Sequence, residues 1–133
     1  MRSTELANAF WDDVWNAHAP DAVDQLMADD VVVEAGGRQI VGRDGVKSWV
    51  KQFLDHVDDL HVDTIETFGD ESGTRVTSRW LLTGTNNGIL GTEPDHKPVA
   101  MTGTAVWTVD NGKLQHGWIE QASFELYHSL LER

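Results

Sequence analysis

The order of apolar and polar residues divides this chain into a helical first part and a strand-rich remainder. Between Thr4 and His18, Leu6, Phe10, Val14 and Ala17 recur at helical spacing, with Trp11, Trp15 and His18 as a neighbouring stripe. That pattern predicts an amphipathic helix. Pro20 interrupts it, and Asp21 can cap a short second helix with Val23, Leu26 and Met27 inward. Val31-Val-Val-Glu-Ala35 is short and β-branched and reads as a strand, stopped by Gly36-Gly37. A second short strand follows near Gln39-Ile-Val41. Asp44 can then cap a third helix whose stripe is Val46, Trp49, Val50, Phe53 and Leu54. From His61 onward the period falls to two, over residues 61–68, 75–85, 99–109 and 113–123. Turn signals at Gly69–Gly73, Asn86–Gly88 and Asp110–Gly112 separate these runs. Residues 124–131 fit either a strand end or a helical turn.

Three N-terminal helices followed by four long antiparallel strands predict one α+β domain over residues 1–133. A strongly curved, mostly antiparallel sheet wrapped around those helices makes a cone-shaped barrel. A cone of that kind encloses an interior, which is the geometric reason to expect a pocket.

Composition narrows the partners. The formal charge is −12, with fourteen aspartates against four lysines. Such a chain lacks the Lys and Arg surface that holds phosphates, so neither nucleic acid nor an anionic membrane is an expected partner. The acids are spread through the chain, as at Asp12-Asp13, Asp29-Asp30 and Asp58-Asp59, which fits a solvated surface or adaptation to high salt. No cysteine is present, which removes disulfides, thiol nucleophiles and cysteine-held metals. Met1-Arg-Ser-Thr-Glu5 has no apolar stretch of a secretory signal, and no run reaches membrane-span length, so a cytoplasmic location is expected. No HExxH or EF-hand pattern occurs, and the six histidines are scattered, so no metal or cofactor is expected.

The chemistry-bearing residues concentrate after the turn Asp110-Asn-Gly112, where Asn-Gly supplies the positive-φ pair of a tight hairpin. On the strand that follows, strict alternation places Leu114, His116, Trp118, Glu120 and Ala122 on one face. If that face looks inward, Glu120 meets an apolar wall, which raises a carboxylate's pKa and suits it to proton transfer near neutrality. His116 would then be its helper. Glu34 faces the same way as Val32 and is the next carboxylate of interest, either turned inward or at an edge position near Gly36-Gly37. Arg75 and Arg79 alternate with Val76, Ser78 and Trp80 and so belong to the outer sheet face. His18 is suited to capping carbonyls, and His56, His61, His96 and His128 read as surface. Core packing is the default for tryptophan. Yet six exceed what this core needs, so several are expected to line a cavity for a flat, apolar ligand.

Arg79-Trp-Leu-Leu-Thr-Gly-Thr-Asn-Asn-Gly88 and Asp110-Asn-Gly-Lys-Leu-Gln-His-Gly-Trp118 resemble the SnoaL-like group of polyketide and ester cyclases, within the nuclear-transport-factor-2-like superfamily. Phe10-Trp11, Leu26–Val32, Gly42–Val46 and Asp59–Val62 extend the resemblance in order along nearly the whole chain. It implies the cone fold, a pocket at its open end and a homodimer paired through the outer sheet face. Cyclases of the group look like Trp-x-x-x-Asp on the last strand, the Asp being the acid/base. Here the fourth residue after Trp118 is Ala122. The group's Gly-Thr-His-x-Gly reads Gly84-Thr-Asn-Asn-Gly88, which puts Asn86 at the histidine. The Val-Glu-Asp of isomerase-like relatives reads Val33-Glu-Ala35.

Two readings follow. In the first, cofactor-independent acid–base chemistry (cyclisation, isomerisation or hydration) acts on a small apolar carbonyl compound. Glu120 is then the base and His116 the helper, and the pocket is lined by Trp15, Trp49, Phe53, Trp80, Asn86, Trp107 and Trp118. In the second, the chain is a ligand-binding or dimerisation member that lost catalysis with the acid at Ala122. The two divide on whether Glu120 points into a cavity or into water.

Overall fold

The computed structural model describes residues 1–133 in full. Helix α1 (Ser3–Ala9) runs on directly as a π-helical stretch, Phe10–Asn16. Phe10, Trp11, Val14 and Trp15 of this stretch are all buried, so both neighbouring stripes of bulky residues face the core. A 3₁₀ turn at Pro20–Ala22 leads into α2 (Val23–Leu26), then β1 (Met27–Ala35), β2 (Arg38–Val41) and α3 (Gly42–His56). Asp44 does not cap α3. The helix starts at Gly42 after an extended Val41, and Asp44 lies in its first turn, where a carboxylate suits the positive end of the helix dipole. The long strands are β3 (Val57–Gly69), β4 (Arg75–Asn86), β5 (Pro98–Asp110) and β6 (Lys113–Gln121). Residues 123–131 form a fourth helix, α4 (Ser123–Leu131), with Leu126 and Leu130 buried.

The six strands form one curved sheet in the order β2-β1-β6-β5-β4-β3. All neighbours are antiparallel except β1 and β6, which run parallel. The N-terminal helices and α3 cover its inner face, as the α+β reading expects. None of the helices is long and apolar enough to cross a membrane.

Tryptophan fills the inside of the cone. Trp11, Trp15, Trp80 and Trp107 are all essentially inaccessible, and Phe10 sits among them, 4.9 Å from the Trp11 ring and 5.3 Å from Trp107. Trp80 and Trp107 lie flat on the sheet because the residue opposite each is glycine. Trp80 pairs with Gly103 and Trp107 with Gly117, and a Cβ at either glycine would overlap the indole. The four indole N–H groups find no acceptor in the protein. Each buried indole removes roughly 150–250 Å² from water, worth about 4–6 kcal/mol at about 25 cal/mol per Å². An unpaired donor costs about 1–3 kcal/mol, so burial wins.

Candidate functional site

The register of β6 overturns the face expected for the candidate acid–base residues. Val109 on β5 pairs with Leu114, but the next residue, Thr108, pairs with His116. Gln115 is therefore an extra residue, a bulge that flips the alternation. Leu114 faces the core, and beyond the bulge Gly117 and Ile119 do so, while His116, Trp118 and Glu120 face outward.

Glu120 is exposed and makes no hydrogen bond or ion pair. It stands on the outer sheet face between two depressions. One, of about 370 Å³, is lined by Arg79, Thr102, Thr104 and Gln121. The other, of about 270 Å³, is lined by Glu34, Arg38 and Trp118. The expected pairing of Glu120 with His116 does not form. His116 instead donates from Nε2 to the Glu34 carboxylate at 2.7 Å, and its ring stacks on Trp118 at 4.2 Å. The Arg75 guanidinium lies 5.7 Å from the Trp118 ring. Trp118, at 36% exposure, is thus part of an outward cluster and not a wall of the cone. Arg75 and Arg79 are on the outer face as expected, and Arg79 bonds Glu66 across to β3 at 3.1 Å.

The remaining expected pocket residues separate into two groups. Trp15, Trp80 and Trp107 occupy the interior and leave no ionisable side chain there: the buried polar residues are Ser3, Ser78 and Asn86. Asn86 is committed to its own loop. Its Oδ1 accepts from the amides of Gly88 (2.9 Å) and Ile89 (3.0 Å), and its Nδ2 donates to Glu93 O (3.0 Å) and Asp95 Oδ1 (3.2 Å). An amide so fully used has nothing left for a ligand. Asp95 is fixed in turn by Arg133, which donates Nε to Oδ2 at 2.8 Å. That hydrogen bond, with others from Lys97 N and Asn86, holds the Asp95 carboxyl down at about 2.

Trp49 and Phe53, the last two, lead to the open end of the cone. Their rings are 5.7 Å apart, and each packs against Trp15, at 5.4 and 5.6 Å. Above Phe53 is a depression of about 270 Å³ lined by Gln52, His56, Gly88, Ile89, Leu90 and Gly91. The Asn86 network holds this far wall in place, including Leu90 in the left-handed region at φ 57°. A non-glycine residue stays in that region only when its surroundings enforce it. The sequence places His56 among the surface histidines. It does lie at the exposed end of α3, yet it borders this depression, with Nδ1 2.7 Å from Gln52 O. Its spacing from Phe53, one helical turn, was the available signal. His18, by contrast, bonds Leu60 O at 2.8 Å and serves the fold.

No group of three His, Asp or Glu side chains is placed to hold a metal ion. The model of the SnoaL-like polyketide cyclases matches residues 5–128. The chain belongs to that family. Among solved structures, one from Jannaschia sp. CCS1 assigned to the SnoaL-like polyketide cyclases superposes with a TM-score of 0.86 at 16% identity, covering 96% of this chain and 90% of that one. A protein from Acidithiobacillus ferrooxidans assigned as a polyketide cyclase gives 0.84 at 25% identity, over 99% and 96%. An epoxide hydrolase of the LEH-like type from M. tuberculosis gives 0.73 at 18% identity, over 97% and 84%. No curated protein matches the sequence. Within the SnoaL-like fold, this chain combines a filled cone with candidate acid–base residues turned to its outside.

Proposed function

We propose that this SnoaL-like chain is a small-molecule-binding protein that does not use the proton-transfer chemistry of a cyclase. One observation carries the reading: the cone interior is packed with indoles and holds no ionisable side chain. Ala122, standing where the resemblance asks for an acid, agrees with it. The ligand's seat is the mouth over Phe53, where aromatic and aliphatic walls meet a space of about 270 Å³. A site of that size and lining suits a small apolar molecule. Tryptophan fluorescence tests this with a panel of small aromatic and alicyclic carbonyl compounds, because Phe53 touches both Trp15 and Trp49. Phe53→Ala should weaken binding several-fold, while Glu120→Gln should leave both binding and any turnover unchanged. Turnover that Glu120→Gln abolishes would restore the catalytic reading.

The protein acts as a homodimer through the outer sheet face. That face exposes Ile65, Phe68 and Trp118 beside charges of both signs, Arg75 and Arg79 with Glu66 and Glu120. Mixed charge and exposed apolar area suit a patch that meets its own copy. Sedimentation should give a dimer that Phe68→Glu dissociates. A monomeric parent chain would refute the pairing.

A further inference from the structure

We infer that the mouth site selects an apolar molecule carrying a hydroxyl, which donates a hydrogen bond to His56 Nε2. This rests on the mouth being the ligand's seat. The Nδ1 of His56 lies 2.7 Å from the main-chain carbonyl of Gln52. A carbonyl can only accept, so Nδ1 carries the proton, and in the neutral ring Nε2 is left as a lone-pair acceptor. Anchored in that way, the imidazole of this lining residue, whose Cδ2 edge is turned toward Gly88, has one acceptor left to offer a ligand.

The rest of the lining reinforces this preference. The side chains of Phe53, Ile89 and Leu90 offer no polar group. The amides of Gly88 and Ile89, which could have bonded a ligand acceptor, are already taken by Asn86 Oδ1. A ligand oxygen that only accepts thus loses two of the donors nearest it. The nearby Asp55 is paired with Lys51 at 2.9 Å and does not compete for the imidazole. Gln52 keeps an amide at the edge, able to serve either partner. Apolar walls hold the body of the ligand, and His56 distinguishes a hydroxyl from its ether. A site built around a hydrogen bond discriminates against the analogue that lacks the donor more sharply than apolar contact alone can.

p-Cresol and 4-methylanisole form the test pair: they share the tolyl ring and an acceptor oxygen, and O-methylation removes the donor while adding one methyl, whose extra apolar area works against the predicted preference. Their dissociation constants are measured by NMR chemical-shift titration of the folded protein near neutral pH. p-Cresol should bind about tenfold more tightly, the scale of one net hydrogen bond. His56→Leu should erase that preference while leaving 4-methylanisole binding in place. His56→Gln, whose amide oxygen restores an acceptor, should recover part of it, which separates the acceptor's role from general damage to α3. Equal affinities in the parent protein, or a preference that survives His56→Leu, would overturn the inference and leave the mouth site standing. Binding of neither probe, or binding untouched by Phe53→Ala, would overturn both.

Discussion

Trp107 lies across Gly117 on the next strand, and this contact fixes which side of β6 can carry chemistry. Residue 117 must face inward with no side chain, so 116, 118 and 120 must face outward. The Gln115 bulge reconciles that with an inward Leu114. A histidine and a carboxylate that alternation would place in a pocket are thereby delivered to the outside of the sheet.

Gly117→Ala and Gly103→Ala should each destabilise the protein by about 2–3 kcal/mol or more, because a methyl at either site overlaps an indole that has no room to retreat. Chemical denaturation measures this directly. Gly112→Ala is the comparison: no atom stands near its missing Cβ, and only its left-handed φ of 70° opposes the change. A core that accepts Gly117→Ala without loss would contradict the stacking.

Asn86→Ala should cost about 2–4 kcal/mol, since it strands the amides of Gly88 and Ile89 and removes the tie to Asp95. Hydrogen exchange should speed up across residues 87–97 more than elsewhere. Exchange that stays uniform would mean the loop is held by other contacts.

Acid stability depends on Asp95. Its carboxyl titrates near 2, below the ordinary 3.8, chiefly because Arg133 donates to it. A folded-state pKa below the unfolded one stabilises the native protein above the unfolded value, and that contribution vanishes as pH falls through the folded value. The stability gained from Asp95 is therefore complete above about pH 4 and gone near pH 2. Asp70 is held low in the same sense, mainly by the Ser72 hydroxyl. In Asp95→Asn the acid limb of a thermal-melt profile should flatten over that window. An unaltered profile would remove Asp95 from the account.

The acid pairs Asp12-Asp13, Asp29-Asp30 and Asp58-Asp59 are all exposed, and their mutual repulsion should make stability salt-dependent. Screening shortens from roughly 10 Å at 0.1 M to about 3 Å at 1 M, which relieves repulsion in a chain of net charge −12. The melting temperature should rise steadily into molar salt, for sodium and potassium chloride alike. A flat response would leave the acidity as a solubility feature only.

The fold was largely legible in the sequence because its signals are local. Helical spacing at Val46, Trp49, Val50 and Phe53 and alternation around Trp80 and Trp107 both survive folding unchanged. The candidate site was not, because it depends on non-local facts. One bulged residue at Gln115 inverts a face, and nothing in the sequence Lys113–Trp118 marks it. Asn86 looks like a pocket amide until the loop ahead of it closes on both of its polar ends. His56 looks like surface until residues 88–91 cross in front of α3. The abundance of tryptophan pointed to a lined cavity. Opposite Gly103 and Gly117, however, Trp80 and Trp107 lie flat and help to fill the space instead.

The central claim is that ligand binds at the mouth over Phe53 and not beside Glu120. Chemical-shift mapping with p-cresol tests it most directly. Perturbations should cluster at Gln52, Phe53, His56 and the amides of 88–91, with the indole signals of Trp15 and Trp49 following. A map centred on His116, Trp118 and Glu120, with residues 52–56 silent, would contradict it.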